Sequence, residues 1–262
     1  ACDFLIPAMG GLMRVTGERD AGPGGGPQKV GVPIVDLMTG MYAAVAVLAA
    51  LARRNETGRG EYIDIGMFDV QVATLANQAM NYLVSGKLPK RNGNAHPNIQ
   101  PQDVYRCADG DIILVVGNDG QFRKLCEALG HPEWANDERF ATNAQRVRNV
   151  ETLSAMLRED FARRDRATLL EQLDRAGVPC GPINNVAEVF EEPQTLARDM
   201  LRYVDHPCGA RVPQVASPMR FTEGELPEMV APPLLGQHSD EILEELGYDS
   251  AAVQALRAAG VI

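Results

Sequence analysis

The chain has 262 residues, 45% of them hydrophobic, and a formal net charge of −10 at pH 7. That apolar share can bury a core for one large domain or two modest ones, and it excludes a disordered chain. The acidic balance argues against a general nucleic-acid binder, which needs a basic face, yet leaves room for a local basic pocket that takes an anion.

The chain opens without Met, directly into the patterned sequence Ala1-Cys2-Asp3-Phe4, which reads as a chain cut inside a domain. Asp3 to Met13 is apolar around Gly10-Gly11 and predicts a short helix or strand with a turn. Arg19 to Gln28 reads as a flexible loop; its Gly24-Gly25-Gly26 run lacks the spacing of a phosphate-binding loop. A mostly buried helix is predicted from about Asp36, through the uncharged run Gly40–Ala52, to Arg53-Arg54 and Gly58. Glu61 to Met67 alternates and predicts a strand, followed by a helix from about Asp69 to Val84. Helix, strand and helix in succession suggest an α/β layer.

Lys87 to Gln102 is a linker rich in Gly, Asn and Pro. Asp103–Cys107 and Asp111–Val116 flank Ala108-Asp109-Gly110 and predict a hairpin. Helices are predicted over 120–129, 150–163, 167–176, 186–190, 193–199, 239–246 and 250–259. Residues 177–182 read as a turn-rich break, 201–205 and 212–221 as strands, and 223–233 as a connector rich in Pro and Glu.

The five cysteines, Cys2, Cys107, Cys126, Cys180 and Cys208, are scattered without CxxC spacing, and the four histidines are dispersed. This pattern predicts reduced thiols in a cytoplasmic protein and no metal site. The Gly40–Ala52 run is too short to span a bilayer and no secretory leader pattern is visible, so no membrane partner is expected. No GxSxG elbow is present, and neither Cys180 nor Cys208 has diagnostic spacing for a thiol enzyme.

Two features carry chemistry. Asp36 places a carboxylate at a helix start, where free N–H groups and the helix dipole favour its ionised form; it reads either as an N-cap or as a nucleophile. His96 lies in Asn92-Gly93-Asn94-Ala95-His96-Pro97-Asn98, whose small and amide residues can offer donors to an anion.

The motifs around Asp36 resemble, in order, those of the family III CoA-transferases. They are Asp3–Met13 with Val15-Thr16-Gly17-Glu18, then Asp36-Leu37-Met38-Thr39-Gly40, and Thr57-Gly58-Arg59-Gly60-Glu61-Tyr62-Ile63-Asp64. Further along come Gly177-Val178-Pro179-Cys180-Gly181-Pro182 and Pro232-Pro233-Leu234-Leu235-Gly236-Gln237-His238. The linker and Gly117-Asn118-Asp119-Gly120-Gln121-Phe122 look closest to members that use succinyl-CoA and dicarboxylates.

The resemblance implies that Asp36 is the catalytic nucleophile, carrying CoA as an aspartyl thioester between acyl-CoA and a carboxylic acid. It implies that Gly93, Asn94, Ala95 and His96 form a substrate loop over it, and that Met67 lies near the pantetheine arm. Coenzyme A enters as substrate, with no tightly bound cofactor. The implied fold is part of a Rossmann-like large domain (1–88), a linker and small α+β domain (89–225), and a segment returning to the large domain (226–262), in an interlocked homodimer. The N-terminal portion that holds most adenine and phosphate contacts in the family has no counterpart in these residues. Two other readings follow from the same resemblance. One is an acyl-CoA racemase, which in the family places a catalytic His where this chain has Cys2 and would use Asp36 as its second base; without that His, transfer is favoured over racemisation. The other is an inert dimerisation fragment.

Overall fold

The computed structural model of the chain describes residues 2–20, 22–224 and 228–262, apart from the side chains of Cys2 and Asp3. The Cys2 thiol and the expected boundary at 225/226 lie outside the described residues. Contacts divide the chain into two compact units, Ala1–Ile183 and Asn184–Ile262.

The first unit begins with helices α1 (Cys2–Met9), α2 (Leu12–Val15), α3 (Ile34–Thr57), α4 (Met67–Thr74) and α5 (Ala76–Ser85). The helix start predicted near Asp36 is found, but its predicted burial is not. Of the 24 residues of α3 only Val35 is buried, and Leu37, Met41, Val45, Leu48 and Leu51 face outward. Apolarity states that a helix wants a partner; it does not state that the same stretch of chain supplies one. The reading of Gly40–Ala52 as too short to span is also corrected. The helix extends through both flanks, and at 24 residues it is long and apolar enough, by length and composition, to cross a membrane.

Glu61–Gly66 is extended but is no strand, because no other strand among the described residues lies beside it to complete a ladder. Its alternation survives: Ile63 and Ile65 are half-buried while Tyr62 and Asp64 are exposed. The single helix predicted over 69–84 is two, broken at Leu75, with Ala76 at φ +46°. Without glycine's freedom, that left-handed residue interrupts the helical ladder.

The core belongs to the second half of this unit. The hairpin predicted around Asp109 is found as β1 (Gln102–Arg106) and β2 (Asp111–Val115), paired antiparallel with Tyr105 opposite Ile112. A third strand, β3 (Cys180–Pro182), adds to the free edge of β2, where a turn had been predicted. At a sheet edge, Pro182 forfeits no ladder bond that a neighbour needs. Over this sheet and beside it pack α6 (Asp119–Leu129), α7 (Pro132–Asn136), α8 (Asn143–Arg148), α9 (Val150–Phe161) and α10 (Arg166–Arg175).

The packing follows the two periodicities. Alternate residues Tyr105, Ile112 and Leu114 are fully buried, and against them lie Phe122, Leu125, Cys126 and Leu129 of α6, Leu153, Leu157 and Phe161 of α9, and Leu169 and Leu173 of α10. The helical sets recur at three- and four-residue spacing, so each helix turns one apolar stripe to the sheet. Tyr105 and Phe161 meet edge to face at 5.0 Å. Asn118, Thr142 and Asp165 cap α6, α8 and α10 by accepting the N–H of Gln121, Gln145 and Thr168.

The second unit holds α11 (Val186–Glu191), α12 (Pro193–Ala197), a hairpin of β4 (Leu201–Asp205) and β5 (Arg211–Val215), then α13 (Ser239–Glu245) and α14 (Ser250–Ala258). Asn185 and Glu188 form a reciprocal capping box at α11. Of its described apolar side chains only Ala216 and Val253 are buried.

Candidate active site

Asp36 is not the N-cap of α3. That position is Pro33, which offers no side-chain acceptor, and Asp36 lies in the first turn. No side chain caps the α3 start, so its first-turn N–H groups lie beside a carboxylate without a side-chain acceptor. Asp36 is solvent-exposed and makes no hydrogen bond or ion pair among the described residues. One turn on, Thr39 turns its hydroxyl back to the Val35 carbonyl at 2.7 Å, which leaves the Asp36 carboxylate uncontested.

Met67 is the first residue of α4 and is half-buried. α3 is roughly 36 Å long at 1.5 Å per residue, and the extended residues before Met67 can retrace most of that length. α4 packs on α3.

The loop residues Gly93, Asn94, Ala95 and His96 are gathered in one turn. Gly93 sits at φ +62°, which favours glycine, and the Ala95 N–H donates to the Asn92 carbonyl at 3.2 Å. Ala95 is buried, Asn94 is exposed, and His96 lies between. The Asn98 N–H donates to His96 Nδ1 at 3.1 Å, so the neutral ring carries its proton on Nε2. Ala95 and His96 line a cavity of about 450 Å³; neither Asp36 nor Met67 does, and no hydrogen bond joins Asp36 to the loop among the described residues.

A polar frame that the residue pattern did not reveal holds this loop. Arg146, fully buried in α8, donates from Nε to the Gln100 carbonyl at 2.7 Å and from Nη1 to the Phe140 carbonyl at 2.9 Å. Its Nη2 donates to Asp119 Oδ1 at 2.8 Å, and its guanidinium lies 4.5 Å from the Phe122 ring centre. Asn143 accepts the Gln100 N–H at 3.0 Å and donates to the Asn98 carbonyl at 2.9 Å. Gln100 in turn donates its side-chain amide to the His96 carbonyl at 2.6 Å. Each buried polar group is thereby matched, and His96 is tied through Gln100 to α8 and α6.

On the other side of the loop Arg91, only 5% exposed, donates from Nη1 to the Arg14 carbonyl at 2.9 Å and pairs with Asp20 through Nη2. Two features of the sequence border the Arg146 frame without singling out the arginine itself. Asn118-Asp119 sits in the stretch singled out by resemblance, and Thr142 precedes a short run with an arginine four residues on. Among the described residues no cluster of three or more His, Cys, Asp or Glu could hold a metal ion.

A family model described as CoA-transferase family III matches residues 1–239. The succinate–glutarate CoA-transferase of Agrobacterium fabrum is 42% identical over 244 residues, 93% of this chain and 60% of that protein. The human succinyl-CoA:glutarate CoA-transferase is 38% identical over 261 residues, 99% of this chain and 59% of that protein. The crystal structure of a CAIB/BAIF family protein from Brucella suis is 48% identical with a TM-score of 0.74, covering 93% of this chain and 62% of that one. The chain thus spans about 60% of the length of the relatives it matches. With its mixed α/β structure and this match over most of its residues, the chain belongs to CoA-transferase family III.

Proposed function

We propose that this chain is the part of a CoA-transferase that carries the nucleophile, moving CoA from an acyl-CoA, with succinyl-CoA as donor, to a small carboxylic acid. The observation that carries the reading is the identity with relatives named for succinyl-CoA and glutarate over nearly the whole chain. A related protein of Haloarcula marismortui is named for succinyl-CoA and mesaconate, which supports a dicarboxylate as the acid.

In this mechanism Asp36 attacks the donor thioester carbonyl, the C–S bond breaks, and a mixed anhydride forms as CoA thiolate leaves. The thiolate attacks the Asp36 carbonyl carbon, which releases the donor acid and leaves an aspartyl-CoA thioester. The acceptor carboxylate attacks that thioester, again expelling thiolate, and the thiolate then takes the acyl carbon of the new anhydride. Asp36 is regenerated and charge is conserved at each step. A carboxylate in the first turn of α3, with no hydrogen bond competing for its lone pairs among the described residues, supports the role.

The same reading takes the exposed apolar face of α3 and the unpaired extended segment 59–66 as surfaces that the remaining family length covers. They belong to a Rossmann-like large domain in an interlocked homodimer, with the loop 93–96 closing over the thioester. An apolar face packed by protein also accounts for α3 without a membrane, and the free Cys107, Cys126, Cys180 and Cys208 suit a cytoplasmic setting. The test is a panel of acyl-CoA donors and acid acceptors read by mass spectrometry. New glutaryl- or mesaconyl-CoA from succinyl-CoA supports the reading, and exchange confined to monocarboxylates contradicts the dicarboxylate assignment.

A further inference from the structure

We propose that the cavity beside the loop is a binding site for a small carboxylate, held by the Nε–H of Arg91 and the ammonium of Lys90. The proposal deepens the CoA-transferase reading and rests on it.

The cavity has about 450 Å³, several times the bulk of a four- or five-carbon diacid, and takes in Arg19, Lys90, Arg91, Ala95, His96 and Gln100. In a chain of formal charge −10 its lining is locally basic, with three cations, Arg19, Lys90 and Arg91, against the carboxylates of Asp20 and Glu151. Both carboxylates are already engaged. Glu151 pairs with Arg19 at 3.1 Å, and Asp20 pairs with Arg91 through Nη2.

Two donors remain over. The Arg91 side chain is 2% exposed, and its Nε–H has no acceptor, although both terminal nitrogens are engaged. A buried N–H of a charged group without a partner is costly, and an acceptor oxygen placed against it relieves the cost. Lys90, the preceding residue, is exposed at the rim and has no hydrogen bond or ion pair among the described residues. The Nε–H is closed off while the cavity is empty, so a carboxylate oxygen reaches it as the Arg91 side chain shifts toward the cavity, with the other oxygen near Lys90. The His96 Nε2–H, on the wall of the same cavity, is a further neutral donor. Occupancy joins the cavity to the loop residues that sit one to five positions after Arg91.

The experiment adds glutarate to the 262-residue chain and follows the Arg91 Nε–H resonance by NMR, with affinity from calorimetry. The expected result is a shift of that resonance on saturation, and affinity weakened roughly tenfold or more in both Lys90→Gln and Arg91→Lys. Lys90 is exposed and unpaired, so Lys90→Gln keeps the test valid if Arg91→Lys folds poorly. Unchanged affinity in Lys90→Gln together with an unmoved Arg91 resonance overturns the site. Inorganic phosphate binding as tightly as glutarate at the same residues overturns its assignment to carboxylates. Asp36→Ala separates the two ideas, since it should abolish CoA exchange while leaving glutarate affinity intact.

Discussion

Replacing Arg146 by Met tests whether the loop frame is held by one buried guanidinium. The substitution keeps much of the side-chain volume and removes every donor. Two backbone carbonyls, those of Gln100 and Phe140, then stay buried without partners. Each such group costs about 1–3 kcal/mol, so the pair sums to roughly 2–6 kcal/mol. Asp119, with its side chain 49% exposed, rehydrates and adds little. Replacing a buried ion pair with apolar groups can be neutral when both partners are replaced, but backbone carbonyls cannot be replaced. The loss is thus a large share of the 5–15 kcal/mol that stabilises a typical domain. Trp134, the only tryptophan, packs on the same core and reports unfolding by fluorescence in urea. A lowered midpoint at unchanged slope is expected. A loss below about 1 kcal/mol would refute the claim that Arg146 holds the frame.

Three other outcomes are expected. Gln100→Met severs only the bond to the His96 carbonyl and leaves the backbone links of Gln100 to Arg146 and Asn143; amide exchange at Ala95 and His96 should quicken while the urea midpoint falls only slightly, and equal protection in both proteins would count against the tether. Burial raises the Asp103 pKa, against the lowering pull of the Val104 N–H and Arg158, so the folded state holds that proton more firmly than the unfolded chain. The cost of ionising it is absent below the ordinary carboxylate value, grows between that value and the raised one, and is constant above it; Asp103→Asn should therefore gain relative stability at pH 7 and lose that gain toward pH 4, and a gain independent of pH would contradict this. Burial likewise pushes the Cys126 thiol up to about 12, so a thiol reagent at pH 8 should label exposed Cys208 in the folded protein and reach Cys126 only on unfolding, as read by peptide mass spectrometry.

The legible parts of the chain were those whose partners lie close in sequence. The 105–176 block shows its strands, turn and helices in period and punctuation, because Tyr105, Phe122, Leu157 and Leu173 meet one another within the same block. The failures share one cause. Glu61–Gly66 has strand alternation and no neighbouring strand, and α3 has a core helix's composition and no cover, so local pattern was right about preference and wrong about outcome. The 177–182 segment hid a strand behind Gly and Pro because only pairing with β2 defines it. At the candidate site, Asp36 and the 93–96 loop stood out by type and by motif order. Arg146 and Arg91 did not, since a buried arginine is recognised by the carbonyls around it, and those come from residues as far as 77 positions away.

The central claim is that Asp36 carries CoA covalently. It is tested most directly by incubating the chain with succinyl-CoA, quenching, and mapping adducts by mass spectrometry. The account predicts a CoA thioester on the peptide containing Asp36, discharged by added glutarate and absent in Asp36→Ala. An adduct on another residue, or undiminished CoA exchange in Asp36→Ala, would contradict it.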